Sequence, residues 1–151
     1  MPGVPQSTDD SLLVSEIGFL AVRTGATAMK LARERLRPLG LHVRSYSVLA
    51  LSATAYGRTQ REVADYLDLD PSQVVSLVDE LEEAGLVTRE VSPGDRRSKL
   101  VRATPRGIAL LPEARGATAS AEDETLSALL PVERETLLRL LQKVTLPATP
   151  S

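Results

Sequence analysis

The chain has 151 residues and a formal net charge of -2, with 42% hydrophobic and 25% charged residues, as expected for one water-soluble globular domain. It has no cysteine and a single histidine, His42, which excludes disulfides, cysteine nucleophiles and metal sites built on several histidines. No apolar run reaches the roughly 20 residues that cross a bilayer, and the first ten residues do not resemble a secretory signal. We therefore expect a cytoplasmic protein that is not an enzyme and that holds no metal or cofactor.

The N-terminal third predicts a flexible arm followed by two helices. Residues 1–9 carry two prolines and a glycine, which is typical of a loose segment. Apolar residues then follow helical spacing from Asp10 or Ser11 to about Arg37, where Pro38 and Gly40 end the pattern. A second helix is expected over roughly residues 44–55. Its inward positions are Tyr46, Leu49, Ala50 and Ala53.

The next stretch predicts a helix-turn-helix. Thr59 and Glu62 have the spacing of a capping box, so a short helix is expected to start here and to end at a polar turn, residues 68–70. Asp70 and Pro71 then mark the start of a second helix. Its apolar stripe ends before Gly85, a residue suited to a left-handed C-cap. The stripe consists of Val74, Leu77, Val78 and Leu81.

The C-terminal half predicts a β-hairpin and two more helices. Residues 86–91 and 99–103 have strand patterns, and the Pro, Gly and Asp of residues 92–98 suit the turn between them. A helix starting at Thr104 is expected to kink or restart at Pro112 and Gly116. A Leu-rich amphipathic helix begins at Pro131, and residues 147–151 form a frayed tail. The fold class is therefore mainly α with a small β-hairpin, a winged helix-turn-helix.

Charge along the chain is segregated rather than mixed. Between Glu62 and Glu83 there are eight acids and no base, whereas between Leu86 and Arg106 six bases face two acids. A basic segment that contains the hairpin is typical of a protein that contacts phosphates with one part of its surface. The hairpin therefore resembles a DNA-binding wing, with Arg96 and Lys99 as candidate phosphate contacts. Asp95 is expected to pair with a nearby arginine and to fix the tip.

The second helix of the motif is interpreted as the DNA-reading helix. Glutamine can pair with adenine through two hydrogen bonds, and a valine methyl can contact the methyl group of thymine. The alternative is an ordinary solvated helix face, which the surrounding motif disfavours. At the start of the first motif helix, Thr59, Gln60 and Arg61 are expected to contact the DNA backbone. The predicted reading positions are Ser72, Gln73, Val75, Ser76 and Asp79.

The first and last helices are interpreted as a dimer interface. Both are too apolar for free surface elements, and two-fold operators require two-fold proteins. Packing within a monomer is the alternative explanation. The predicted organisation is thus a single domain over residues 10–146. A winged helix-turn-helix at about 43–104 is flanked by dimerisation helices at about 10–37 and 105–146.

Three stretches together resemble the MarR family of winged helix-turn-helix transcriptional regulators. They are Val78 to Arg89, which closes the reading helix, Pro93 to Arg97 at the hairpin tip, and Ala103 to Gly107 at the start of the next helix. One departure is that Ser76 and Glu80 stand where many family members carry Arg. The resemblance implies a homodimeric repressor that binds double-stranded DNA at a palindromic operator and is modulated by a small ligand.

The resemblance also implies particular residue roles. Arg97 would insert into the minor groove. A small anionic or phenolic effector would bind between the dimer helices and the DNA-binding lobe, although an ordinary loop role for His42 is the simpler interpretation. A protein-protein interaction module without specific DNA binding is the alternative function. The candidate effector residues are Phe19, Arg23, His42, Arg44 and Tyr46.

Overall fold

The computed structural model describes residues 10–146, and within them it is mainly helical with one small antiparallel sheet, which confirms the predicted fold class. The arm and tail predicted at residues 1–9 and 147–151 lie outside the described residues. No helix in the described part is long and apolar enough to cross a membrane. The elements are α1 (Asp10–Leu13), α2 (Ile17–Leu36), α3 (Val43–Ser52), β1 (Arg58–Thr59), α4 (Gln60–Leu67), α5 (Pro71–Glu83), β2 (Val87–Ser92), β3 (Asp95–Ala103), α6 (Pro105–Thr125) and α7 (Pro131–Thr145).

The hydrophobic core lies where α3, α4, α5 and the sheet meet. The apolar stripe predicted for α5 is buried here and packs mainly against α3 and α4. Further along the molecule, α2 packs lengthwise against α6. Both motif helices are therefore held on a single core that also contacts the long helices. Its largest fully buried apolar side chains are Leu36, Val48, Leu49, Val63, Val74, Val78, Leu81, Val87 and Val101.

The sheet has three strands in the order β1-β3-β2, all antiparallel. The two-residue strand β1 was not predicted, since Arg58 and Thr59 are too short a run to show strand periodicity. The hairpin strands extend beyond their predicted bounds, so that only Pro93 and Gly94 remain between them. The predicted tip residues Arg96 and Arg97 consequently lie on β3.

The predicted N-terminal helix is interrupted. A turn over residues 14–16 separates α1 from α2, where a single helix over about 10–37 was expected. The hydroxyl of Ser15 donates a 2.6 Å hydrogen bond to the carbonyl of Leu12, and the backbone N–H of Ser15 also bonds to this carbonyl. The serine side chain competes in this way with the helical hydrogen bond between residues i and i-4. Hydrophobic spacing cannot predict such a side-chain bond.

The restart predicted within α6 does not occur. The helix runs without interruption through Pro112 and Gly116. Pro112 lies on the exposed face, while Ala114 and Ala121 are buried on the other side, where α6 packs against α2. Burial along the helix outweighs the one backbone hydrogen bond that proline cannot donate.

A close junction links the end of α5, the sheet and the start of α6. The hydroxyl of Thr104 donates to the carbonyl of Gly85 at 2.7 Å and accepts from the N–H of Gly107 at 3.0 Å. The backbone N–H of Thr104 donates to the carbonyl of Leu86 at 3.0 Å. Gly107 is buried so closely that a Cβ there would lie 2.1 Å from the oxygen of Leu86 and 3.0 Å from Leu49. Only glycine fits at this position.

We predict that Gly107→Ala destabilises the fold by about 3 kcal/mol, because the added methyl group overlaps a backbone oxygen that cannot move independently. Chemical denaturation at equal protein concentrations measures the change. Gly116→Ala in the same helix is the matched control, since its Cβ meets nothing within 4 Å. It should leave stability unchanged or raise it by roughly 0.5–1 kcal/mol. Equal effects of the two substitutions would contradict the close approach.

Candidate nucleic-acid interface

The predicted capping box starts α4. The N–H of Glu62 donates to the hydroxyl of Thr59 at 3.1 Å, and the carboxylate of Glu62 accepts from the N–H of Thr59 at 2.8 Å. The hydrogen bond from the Thr59 backbone, reinforced by its side chain and by the charge of Arg58, holds the pKa of Glu62 below its ordinary value of 4.5. Asp68 ends the helix with φ 51°, and the chain turns directly into α5.

The outward face of α5 carries all five predicted reading residues, Ser72, Gln73, Val75, Ser76 and Asp79, and each is exposed. Two of them, Gln73 and Ser76, form side-chain hydrogen bonds within α5 or to its N-cap. The side-chain oxygen of Gln73 accepts from the N–H of Asp70 at 3.2 Å, and the hydroxyl of Ser76 donates to the carbonyl of Ser72 at 3.2 Å. Gln73 therefore presents its NH₂ group outward, and Ser76 presents its lone pairs. The predicted two-bond pairing of Gln73 with adenine would require the cap to break.

A bulge in β3 shapes the wing, residues 87–103. Ser92 pairs with Asp95, whereas the preceding Val91 pairs with Lys99, so the three residues between them, 96–98, are left out of the ladder. The carboxylate of Asp95 accepts from the backbone N–H of Arg97 at 2.9 Å. Among the described residues Asp95 forms no ion pair with an arginine side chain, and its partner is the backbone of Arg97 instead. Its contact with the backbone of Arg97 nevertheless closes the bulge.

An open cleft of about 960 Å³ separates α5 from the wing. It brings together seven of the twelve predicted DNA-contact and wing residues, while Thr59, Ser72, Gln73, Ser76 and Arg96 lie outside its lining. Within the cleft, cationic side chains from α4 and the wing face acidic side chains from α5. The shared residues are Gln60, Arg61, Val75, Asp79, Asp95, Arg97 and Lys99.

Arg89 on β2 was missed by the sequence reasoning, although it lines this cleft. Its side chain is only 14% exposed and bonds to α5 and to Gln60 at the start of α4. The basic segment of the sequence contains it, but no local pattern distinguishes it from its exposed neighbours. Two predicted contact residues, Gln60 and Asp79, are therefore bound by a protein side chain.

The five candidate effector residues form two groups, Phe19 and Arg23 on α2 and the other three around the start of α3. Arg23 lies over the ring of Phe19 on α2, with 5.9 Å from its guanidinium carbon to the ring centroid. His42 is the N-cap of α3, and its Nε2 lies 3.3 Å from a carboxylate oxygen of Glu80. The cleft beside the wing contains none of the five, and neither does a second cleft of about 610 Å³ beside the start of α6. No cluster of metal-ligating side chains occurs in the described range.

Comparison with known proteins places these features in a family. A model of the MarR family matches residues 39–98. A MarR-family transcriptional regulator from Rhodococcus sp. RHA1 superposes with a TM-score of 0.84 at 38% identity, covering 96% of this chain and 99% of that one. The chain belongs to the MarR family.

Two further relatives support this membership and confirm the resemblance predicted from the sequence. CouR from Rhodococcus jostii RHA1, solved bound to p-coumaroyl-CoA, is 41% identical with a TM-score of 0.81, covering 92% of this chain and 98% of CouR. The putative transcriptional regulatory protein for the hcr operon of Thauera aromatica is 32% identical over 148 residues, which are 94% of this chain and 89% of that protein. This MarR-family chain is thus a transcriptional regulator.

We predict that the capping box makes a small contribution to stability that depends on pH. Thr59→Val should cost about 1 kcal/mol because the N–H of Glu62 loses its partner. Glu62→Gln should destabilise the fold at neutral pH. Because the pKa of Glu62 is lowered by folding, its contribution is full above about pH 4.5 and is lost as the pH falls through the folded-state value. The difference from the wild type should therefore shrink on acidification, as denaturation at several pH values would show.

Thr59→Ser is the control because it keeps the hydroxyl, and it should cost less than about 0.5 kcal/mol. A stability difference between wild type and Glu62→Gln that stays constant from neutral to acidic pH would contradict this role of the Glu62 carboxylate.

Proposed function

We propose that this chain binds double-stranded DNA in a sequence-specific manner and regulates transcription as a repressor in the cytoplasm, without enzymatic activity. The observation that carries the proposal is the pairing of a capped reading helix with a bulged basic wing across one cleft, in a chain of the MarR family. Helices of this kind enter the major groove, and wings contact the flanking backbone or minor groove.

The proposed contacts divide by element. On α5, Ser72, Gln73, Val75 and Ser76 meet base edges in the major groove. Arg97 inserts into the minor groove, because it projects from the bulge and its charge suits a narrow, strongly negative groove. Phosphate contacts come from Arg96 and Lys99 of the wing and from Thr59 and Arg61 at the start of α4.

We propose a homodimer assembled through α1, α2 and α7. In the single chain no residue of α7 is buried, although the helix is rich in leucine. Such an exposed apolar face requires a partner, and a second copy would supply the two-fold symmetry of a palindromic operator. The large apolar side chains left exposed on these elements are Leu12, Leu13, Ile17, Leu20, Val22, Met29, Val132, Leu138, Leu140, Leu141 and Val144.

DNA binding is tested with a duplex selected from a random-sequence pool by the wild-type chain, titrated beside a scrambled duplex at several salt concentrations. Specific binding by two chains per duplex is expected, with an affinity that falls steeply as salt rises. Arg97→Ala should weaken binding by about tenfold and lower the salt slope by about one.

Arg37→Ala is the matched control for the loss of one exposed cation. Arg37 lies in the turn after α2. Leu39 of the same turn lines the second cleft, as do residues at the C-terminal end of α5. It should change DNA affinity by less than about twofold, since charges far from bound DNA are screened by salt. Absence of any selected duplex, with other proteins binding the same surfaces, would favour the protein-protein interaction module.

We propose a small phenolic or anionic effector that lowers DNA affinity. CouR, the 41% identical relative, was solved with p-coumaroyl-CoA, a molecule that is both phenolic and anionic. In this chain the proposed ligand residues Phe19, Arg23, His42, Arg44 and Tyr46 lie on α2 and around the start of α3. Aromatic, cationic and phenolic side chains suit such a molecule.

Addition of p-coumaroyl-CoA to the DNA complex should weaken DNA binding by roughly 5- to 150-fold, the usual range of coupling between two sites. Coenzyme A alone is the control that lacks the phenol. If neither compound changes the DNA titration at millimolar concentration, this effector class is wrong for this chain.

A further inference from the structure

The side chain of Arg89 connects three elements of the DNA-binding lobe. Nη2 donates to the carboxylate of Asp79 at 2.5 Å and to the carbonyl of Val75 at 3.2 Å, both on α5. Nη1 donates to the carboxylate of Glu82 at 2.6 Å, and Nε donates to the side-chain oxygen of Gln60 at 2.7 Å. One strand residue thus holds the middle of α5 and the start of α4.

The second carboxylate oxygen of Glu82 strengthens this arrangement. It accepts from the backbone N–H of Arg89 at 3.2 Å, so that Glu82 bonds to both the backbone and the side chain of one residue. Charge-assisted bonds of this kind, around a guanidinium that is only 14% exposed, are stronger than exposed ion pairs. The position of α5 relative to β2 is therefore fixed by several directional contacts.

The negative charge of α5 makes its ion pairs with Arg89 important for DNA binding. The helix carries four acids, Asp79, Glu80, Glu82 and Glu83, and no base. Asp79 lies on the outward face beside the proposed base-reading residues and is 62% exposed. A free carboxylate there would repel phosphates and could accept a hydrogen bond only from the amino group of adenine or cytosine.

We propose that Arg89 is a positioning residue for DNA recognition, one that neutralises Asp79 and fixes the angle of α5 without contacting the DNA itself. The inference rests on the proposed function. It assigns the carboxylate of Asp79 and the side-chain oxygen of Gln60 to the protein rather than to the DNA, since the guanidinium of Arg89 binds both. Gln60 keeps only its NH₂ group to donate to a phosphate.

The test compares wild type, Arg89→Ala, Asp79→Asn and the double variant on the selected duplex, by fluorescence anisotropy at several salt concentrations. Arg89→Ala should weaken binding by about tenfold, and Asp79→Asn by less than about threefold. The double variant should recover part of the loss caused by Arg89→Ala, because the unpaired Asp79 carboxylate is gone while the bonds of Arg89 to Glu82 and Gln60 remain lost. The salt slope should be the same in all four, since no phosphate contact is removed.

Arg102→Ala is the matched control. Arg102 is a partly buried arginine on β3 that pairs with Glu90 at 2.9 Å and donates to the carbonyl of Ala55 at 3.0 Å, away from α5. Its loss should leave DNA affinity within about threefold of wild type, whatever its effect on stability. If Arg89→Ala does not fold, Arg89→Lys replaces it. This variant keeps the charge but cannot form the fork of bonds, and it should bind DNA severalfold more weakly at unchanged salt slope.

A salt slope lowered by about one in the Arg89 variant would overturn the inference, because it would mean that Arg89 itself contacts a phosphate. Multiplicative losses in the double variant would also overturn it, since Asp79 would then act independently. Failure of the wild-type chain to select any duplex would instead overturn the proposed function, and the inference with it.

Discussion

The contact between the first turn of α6 and the carbonyl of Leu86 constrains the rest of the molecule. The reading helix ends at Glu83, shortly before Gly85, and Thr104 is the N-cap of α6. The wing, residues 87–103, lies between them in the chain, so all three elements meet at one point. Thr104 bonds to the carbonyls of Gly85 and Leu86 through its hydroxyl and its backbone N–H, and a side chain at position 107, which glycine lacks, would overlap the carbonyl of Leu86. Both DNA-facing elements are therefore attached rigidly to a long helix rather than through a flexible linker.

This attachment gives the proposed dimer a route to the DNA-binding surface. In the single chain, α6 packs along α2, and α2 also contacts the turn that leads into α3. A change in the angle between the long helices would move the junction at Gly107 as a unit, and α5 and the wing would move with it. Arg89 would keep those two elements at a constant mutual distance, so that such a motion alters the separation between two reading helices rather than the shape of either lobe.

Local chemistry made much of this fold predictable, and non-local packing accounts for the errors. The capping box at Thr59 and the stripe on α5 depend on residues within one or two turns, so their spacing was sufficient. On α3, Leu49 is buried and Tyr46 packs against the core as predicted, but the fully buried positions also include Ser45 and Ser52, which were not expected to face inward. Each serine hydroxyl donates to a carbonyl of its own helix or N-cap, and this bond offsets the cost of burying the hydroxyl. Hydrophobic spacing cannot predict such a bond.

At the candidate site, residue types were predictable but their partners were not. The wing arginines follow from charge segregation, yet the bulge that projects Arg97 depends on the register between two strands. The division of the proposed contacts between the wing, α4 and α5 explains how a chain with a net charge of -2 and an acidic reading helix can bind DNA. In the proposed complex, cations on the wing and on α4 supply the salt-dependent attraction. There α5, with Asp79 neutralised, contributes uncharged donors and acceptors, among them Gln73, which bonds to the N-cap of its own helix. The wing and α4 would then determine the affinity for DNA, and α5 the preference for particular bases. A substitution that changes the affinity need not change the base preference.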